Sequence, residues 1–202
     1  MSIRTIIFDF GNVIGFFDHR RATRRIAEQT GLPEELLFQT LLDFDLEDPF
    51  EAGLLTSAEV FTRLRATWGT TTPDELLDET LSDIFWPNPE ICDLVPRLRG
   101  RYRLLLGSNT NELHARRFRR EFAEVLGHLD ELVLSFEIGA RKPRPAFFEH
   151  CHRRAGCAPD ECLFIDDLEA NIAGAKAVGL QGVVYRHGEQ FPERLRALGV
   201  EW

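Results

Sequence analysis

Residues 6–14, Ile-Ile-Phe-Asp-Phe-Gly-Asn-Val-Ile, form an almost wholly apolar run that carries a single acid, Asp9, just before a Gly-Asn turn. A short run of this kind reads as a strand covered on both faces, which is the situation of a strand inside a parallel sheet. In open α/β sheets ligands bind outside the carboxyl ends of the strands, so a carboxylate at this position lies at the mouth of a crevice. Asp9 is therefore the first candidate for chemistry.

The downstream chain alternates in the way such a sheet requires. Core strands are expected at Tyr102–Gly107, Leu132–Leu134, Cys162–Asp166 and Gly182–Tyr185, with helices over 111–125, 145–155 and 171–178 between them. Strands alternating with helices define a doubly wound parallel sheet. From about Asp18 to Phe85 the pattern is instead helical with no strand. Thr56-Ser57-Ala58-Glu59 and Thr72-Pro73-Asp74-Glu75 read as capping boxes, Gly69 as a helix stop and Asp18 as the cap of the first helix. The expected division is a core of residues 1–15 and 87–202 and a helical cap of residues 16–86, set where it can close over Asp9.

Four strand ends carry polar groups: Asp9, then Ser108-Asn109, then Arg141-Lys142-Pro143, then Asp166-Asp167 with Asn171. A carboxylate nucleophile, a hydroxyl and an amide for an oxyanion, a lysine and two acids for a hard cation make a phosphoryl-transfer set. Composition narrows the partners. With 24 Lys and Arg against 33 Asp and Glu, the formal net charge is −9, which argues against nucleic acid. The arginine runs at 20, 21, 24, 25 and at 116, 117, 119, 120 read as solvated helix faces, one of which could still reach a phosphate. No apolar stretch is long enough for a membrane span, no secretory signal precedes the first strand, and the four cysteines lack metal or disulfide spacing. A cytoplasmic monomer or homodimer with no membrane partner is expected.

In these motifs the chain resembles the haloacid dehalogenase (HAD) superfamily: Phe8-Asp9, Leu106-Gly107-Ser108-Asn109, Lys142-Pro143, and Phe164-Ile165-Asp166-Asp167 followed by Asn171-Ile172-Ala173-Gly174-Ala175. Ser108-Asn109-Thr110-Asn111, Gly139-Ala140-Arg141-Lys142-Pro143 and Phe50-Glu51-Ala52-Gly53 look like its bacterial glucose-1-phosphate phosphatase branch. The resemblance implies a Rossmann-like sheet of order 5-4-1-2-3 and a Mg²⁺-dependent phosphatase acting on a small phosphorylated metabolite such as a hexose 1-phosphate, through an aspartyl-phosphate. It implies Asp9 as nucleophile, Ser108, Asn109 and Lys142 on the phosphoryl oxygens, and Mg²⁺ held by Asp9, the Gly11 carbonyl and Asp167. Asp166 would stand behind that ligand set or act through a water.

One position departs from the family pattern. Most phosphatases of the superfamily carry a second aspartate, a proton donor, two residues after the nucleophile, and here Gly11 takes its place. Two other readings stay open on that account: a 2-haloacid dehalogenase, and a non-catalytic binding or regulatory protein of the same fold. Asp18 or His19 could supply the missing proton, and Phe16, Phe17, His19, Phe44, Phe50 and Trp86 are candidates for lining the substrate pocket.

Overall fold

The computed structural model describes residues 2–202 and, within them, every side chain except that of Phe44, so the pocket-lining candidate Phe44 lies outside the described side chains. The chain begins with β1 (Thr5–Phe8), all four residues of which are buried. There follow β2 (Gly15–Phe17), five helices α1 (His19–Thr30), α2 (Glu34–Leu41), α3 (Phe44–Glu51), α4 (Ser57–Trp68) and α5 (Asp74–Ser82), and then β3 (Phe85–Pro87). The rest runs α6 (Pro89–Leu98), β4 (Arg103–Ser108), α7 (Glu112–Glu121), α8 (Ala123–Leu126), β5 (Glu131–Leu134), α9 (Ser135–Ile138) and α10 (Pro145–Ala155). It ends with β6 (Cys162–Asp166), α11 (Glu169–Ala177), β7 (Gln181–Val184) and α12 (Phe191–Ala197).

The main sheet has the order β5-β4-β1-β6-β7, and every pairing in it is parallel. With the core strands counted along the chain and read from the β7 edge, this is the expected 5-4-1-2-3. Side-chain alternation sorts the strands onto two faces: Ile6, Phe8, Leu104, Leu106, Leu163 and Ile165 join one apolar cluster, while Ile7, Leu105 and Phe164 join the other with Phe147 and Phe148 of α10. Both faces are therefore dry, as the apolar run around Ile6 and Ile7 requires.

The helical segment is fixed largely by its caps. Asp18 accepts the Arg20 N–H at 2.8 Å and Gly31 closes α1 with φ of 73°. Thr56 and Glu59 complete the expected capping box, the Glu59 carboxylate taking the Thr56 N–H at 2.8 Å. The second box does not form. Thr72 spends its hydroxyl on that of Thr70 at 2.8 Å, and α5 starts from Pro73 without a side-chain cap. Two further expectations are corrected. The segment ends in the antiparallel pair β2 and β3, three residues each and too short for an alternating signal, and the helix expected over 111–125 breaks at Phe122 into α7 and α8. Asn88, at the N-cap position of α6, makes no side-chain cap bond; it is buried and gives its amide to the Val13 carbonyl at 2.7 Å and the Tyr185 hydroxyl at 2.8 Å.

Among the described residues no helix is long and apolar enough to cross a membrane. The arginine runs do form charged faces: Arg25 and Arg117 meet Asp83 at 2.6 and 2.8 Å, and Arg20 meets Glu35 at 3.2 Å. None of the eight contacts Glu51 or Asp48; the arginine that meets those two acids is a different one, Arg141.

Candidate active site

The polar strand ends converge because the three central strands stop together. The backbone N–H of Asp9 continues the β1–β6 ladder to Ile165 O at 2.8 Å, which brings Asp9 beside Asp166 and Asp167. Phe10 then turns into the core, stacked on Phe118 at 4.2 Å and edge-on to Phe122 at 4.9 Å, which anchors the loop that follows.

Lys142 lies at the centre. Its ammonium, 1% exposed, stands 2.7 Å from Asp9 Oδ1 and 2.7 Å from Asp166 Oδ2. Burial works against its charge, yet the two carboxylates hold Lys142 above the ordinary lysine range. Asp166 is also fixed by the Asn171 amide at 2.9 and 3.1 Å and by the Leu168 N–H at 2.9 Å. Asp167, half-buried, accepts from the Asn12 amide at 3.0 Å. Asn12 itself has a left-handed backbone (φ 54°), a conformation that asparagine tolerates better than most residues.

Asp9, Asp166 and Asp167 can each offer an oxygen within 4.8 Å of the others'. Burial pushes Asp9 up to about 8, with Lys142 opposing and Asp166 and Asp167 adding to the push; burial likewise raises Asp167. Three carboxylates face one ammonium. That charge imbalance and the all-oxygen donor set fit a hard divalent cation of the Mg²⁺ kind.

Ser108 is buried at the end of β4. The side chain of Asn109, expected on a phosphoryl oxygen, also ties to Lys142: it donates one N–H to the Lys142 carbonyl at 3.0 Å and accepts the Lys142 N–H at 2.8 Å. It positions the lysine, and its amide keeps a second N–H for an oxyanion.

A cavity of about 130 Å³ adjoins this cluster through Phe10 and Gly11, which follow Asp9, and through Ser108 and Asn109, with Phe17, Phe50 and Glu51 among its other walls. Of the aromatic candidates from the sequence, Phe17 and Phe50 line it. Phe16 and Trp86 instead pack on each other at 6.1 Å, with Trp86 exposed. His19 also borders the cavity, with burial lowering its affinity for a proton. So does His114, pushed down to about 3 by burial and held by Asn111 and the Leu81 carbonyl. Asp18 is occupied as a helix cap.

Gly11 has a steric reason. A Cβ there would meet the Phe17 ring at 3.0 Å, so any side chain at position 11 requires that ring to give way by a few tenths of an ångström.

Sequence motifs alone assigned no role to Glu51 or Arg141. The Arg141 guanidinium reaches α3, meeting Asp48 with one nitrogen and Glu51 Oε2 with another at 2.5 Å, a contact without hydrogen-bond alignment. Burial, then Glu47, raise Glu51 to about 8. The approach of α3 to the core is close: any Cβ at Gly53 (φ 70°) would collide with the Phe136 carbonyl.

Residues 3–179 match the haloacid dehalogenase-like hydrolase family, and the chain belongs to it. It is an enzyme of that family, a hydrolase with phosphatases among its relatives. It is 25% identical over 202 residues to a D-ribitol-5-phosphate phosphatase of Bacteroides thetaiotaomicron, covering 97% of this chain and 98% of the relative. A phosphatase of Mycobacterium tuberculosis is 29% identical over 94% of this chain and 90% of its own length. Among solved structures, a HAD family enzyme of B. thetaiotaomicron in complex with magnesium and inorganic phosphate superposes with a TM-score of 0.81 at 28% identity, over 96% of this chain and all of that one.

Proposed function

We propose that the chain is a Mg²⁺-dependent phosphatase of small phosphorylated metabolites, with sugar or polyol phosphates as the substrate class and a hexose 1-phosphate as the preferred type. The observation that carries this reading is the Lys142 ammonium held 2.7 Å from both Asp9 and Asp166, beside a cavity bordered by Ser108. Residues 1–15 and 87–202 act as the catalytic core and residues 16–86 as a cap that supplies the cavity walls. The free cysteines agree with a reducing, cytoplasmic setting.

In this reading Asp9 attacks phosphorus and becomes the phosphorylated residue, the bond to the leaving oxygen breaks, and water later releases phosphate. Lys142 offsets the charge of Asp9 and the phosphoryl oxygens, and the Ser108 hydroxyl and the Asn109 N–H hydrogen-bond those oxygens. Asp9, the Gly11 carbonyl and Asp167 hold Mg²⁺, and Asp166, saturated by Lys142, Asn171 and Leu168, orients the lysine behind them. When bound, Mg²⁺ supplies charge neutralisation at the transferring phosphoryl group.

The names of relatives support the substrate class, a fructose-1-phosphate phosphatase of Escherichia coli among them at 27% identity over 55% of this chain and 58% of its own length. A halide displacement has no use for a third carboxylate, and a binding protein has none for a buried lysine clamped between two acids.

The test is hydrolysis of phosphate monoesters with Mg²⁺, with chelator, and by Asp9→Asn. Turnover abolished by chelator, restored by Mg²⁺ and absent from a folded Asp9→Asn is expected. Full activity in chelator, or a phosphorylated residue other than Asp9, would overturn the assignment.

A further inference from the structure

We propose that Glu51 of α3 is the proton donor to the leaving oxygen, reaching the reaction from the roof of the cavity in place of the acid that position 11 does not carry. The assignment rests on the phosphatase reading above. Its geometry has three parts. Position 11 carries no acid, and a Cβ there would meet the Phe17 ring at 3.0 Å. Glu51 lines the same cavity as Gly11, Ser108 and Asn109. Finally, the end of α3 is held against the core by the Gly53–Phe136 approach and by Arg141, which immediately precedes Lys142.

The charges around Glu51 suit an acid that must cycle. Glu47 on its own helix and Asp9 below oppose its ionisation, as does burial, while Lys142 favours it. The Arg141 guanidinium touches Oε2 but divides its charge with Asp48. The nearby histidines, His19 on α1 and His114 on α7, are kept from protonating by burial and do not compete for the role. Burial and the Glu47 charge push the Glu51 carboxyl up to about 8, toward keeping its proton near neutral pH as a general acid needs, against the pull of the Arg141 guanidinium on Oε2.

The step balances as follows. An Asp9 oxygen forms a bond to phosphorus, the ester P–O bond breaks, its electron pair stays on the leaving oxygen, and that oxygen takes the Glu51 proton to depart as an alcohol. In the second half, water attacks phosphorus and gives its proton to the Glu51 carboxylate while the Asp9–phosphorus bond breaks. Glu51 is thereby reset.

The experiment compares kcat/KM for phenyl phosphate, whose leaving phenolate needs a proton, with that for 4-nitrophenyl phosphate, whose leaving group needs it far less. Wild type, Glu51→Gln and Asp48→Asn are measured with Mg²⁺. Glu51→Gln should lose about 10²-fold or more on phenyl phosphate and at least about tenfold less than that on the nitrophenyl ester. Its basic limb in the pH profile for phenyl phosphate should also disappear. Asp48→Asn loosens the Arg141 contact without removing the acid, and should leave the ratio of the two esters at its wild-type value. Equal losses on both esters in Glu51→Gln, or the same change of ratio in Asp48→Asn, would overturn the role. If the wild type hydrolyses the nitrophenyl ester and Asp9→Asn does not, the phosphatase reading stands however Glu51 behaves; no hydrolysis of either ester by the wild type removes both.

Discussion

The side chain of Asn109 clasps the backbone of Lys142 with two hydrogen bonds, giving to its carbonyl at 3.0 Å and taking from its N–H at 2.8 Å. A buried ammonium that must stand 2.7 Å from Asp9 depends on where its backbone is held. Asn109→Ala should therefore lower kcat by up to about 10²-fold through misplacement. It should also cost about 1–3 kcal/mol of stability by leaving backbone groups unpaired. Steady-state kinetics and denaturant unfolding check both, and a variant that keeps wild-type kcat would show that Lys142 is placed without the clasp.

Leaving-group chemistry predicts how the enzyme ranks sugar esters. An anomeric oxygen departs more readily than a primary alkoxide, and a proton delivered across the cavity from α3 is less closely tied to the nucleophile than one from β1. Glucose 1-phosphate should be turned over faster than glucose 6-phosphate, with the difference in kcat rather than KM. Paired kinetics decide it, and equal kcat values would remove this account.

Steric crowding sets the outcome of restoring the missing acid. Gly11→Asp drives a new side chain against the Phe17 ring and should cost about 1–3 kcal/mol while gaining little activity on glucose 6-phosphate. Combined with Phe17→Ala it should gain on the 6-phosphate, so that the two changes are non-additive. A gain from Gly11→Asp alone, at unchanged melting temperature, would mean that Phe17 yields freely.

Linkage gives a pH prediction for Glu51. Burial, with Glu47 alongside, raises its folded carboxyl from the ordinary 4.5 to about 8, so between those values the folded chain binds a proton that the unfolded chain has lost. Stability is thus greatest below the lower value and falls as pH rises toward the upper one, by at most about 1.4 kcal/mol per pH unit from this group. Melting curves with Mg²⁺ from pH 5 to 8 should be visibly flatter for Glu51→Gln. Parallel curves would mean that Glu51 is ionised throughout.

The chemistry at the strand ends was legible because each of Asp9, Lys142 and Asp166 breaks an apolar or turn pattern within a few residues. The sheet order followed from the resemblance those motifs carry. Glu51 was not legible in the same way. Its place beside the site depends on a collision-tight approach of Gly53 to Phe136 and on Arg141, partners far along the chain, and the Phe50-Glu51-Ala52-Gly53 motif marked a branch of the family without saying where its acid would stand. The clasp of Asn109 on the Lys142 backbone was not legible either, because spacing reports which residue ends a strand, not which of its groups are already bonded. Thr72 failed as a cap for a similar reason, since its hydroxyl found Thr70 at closer range.

β2 and β3 pair Gly15 with Pro87 and Phe17 with Phe85, and just beyond them the Asp18 N–H bonds the Ile84 carbonyl at 3.0 Å. The polypeptide thus leaves the sheet and rejoins it at one doorway, its two passages about 5 Å apart. Everything threaded through that doorway can be exchanged for a differently shaped roof by a splice at two adjacent points, with no strand re-registered and neither Asp9 nor Lys142 moved. A lineage built this way can change what it admits while leaving untouched how it cleaves.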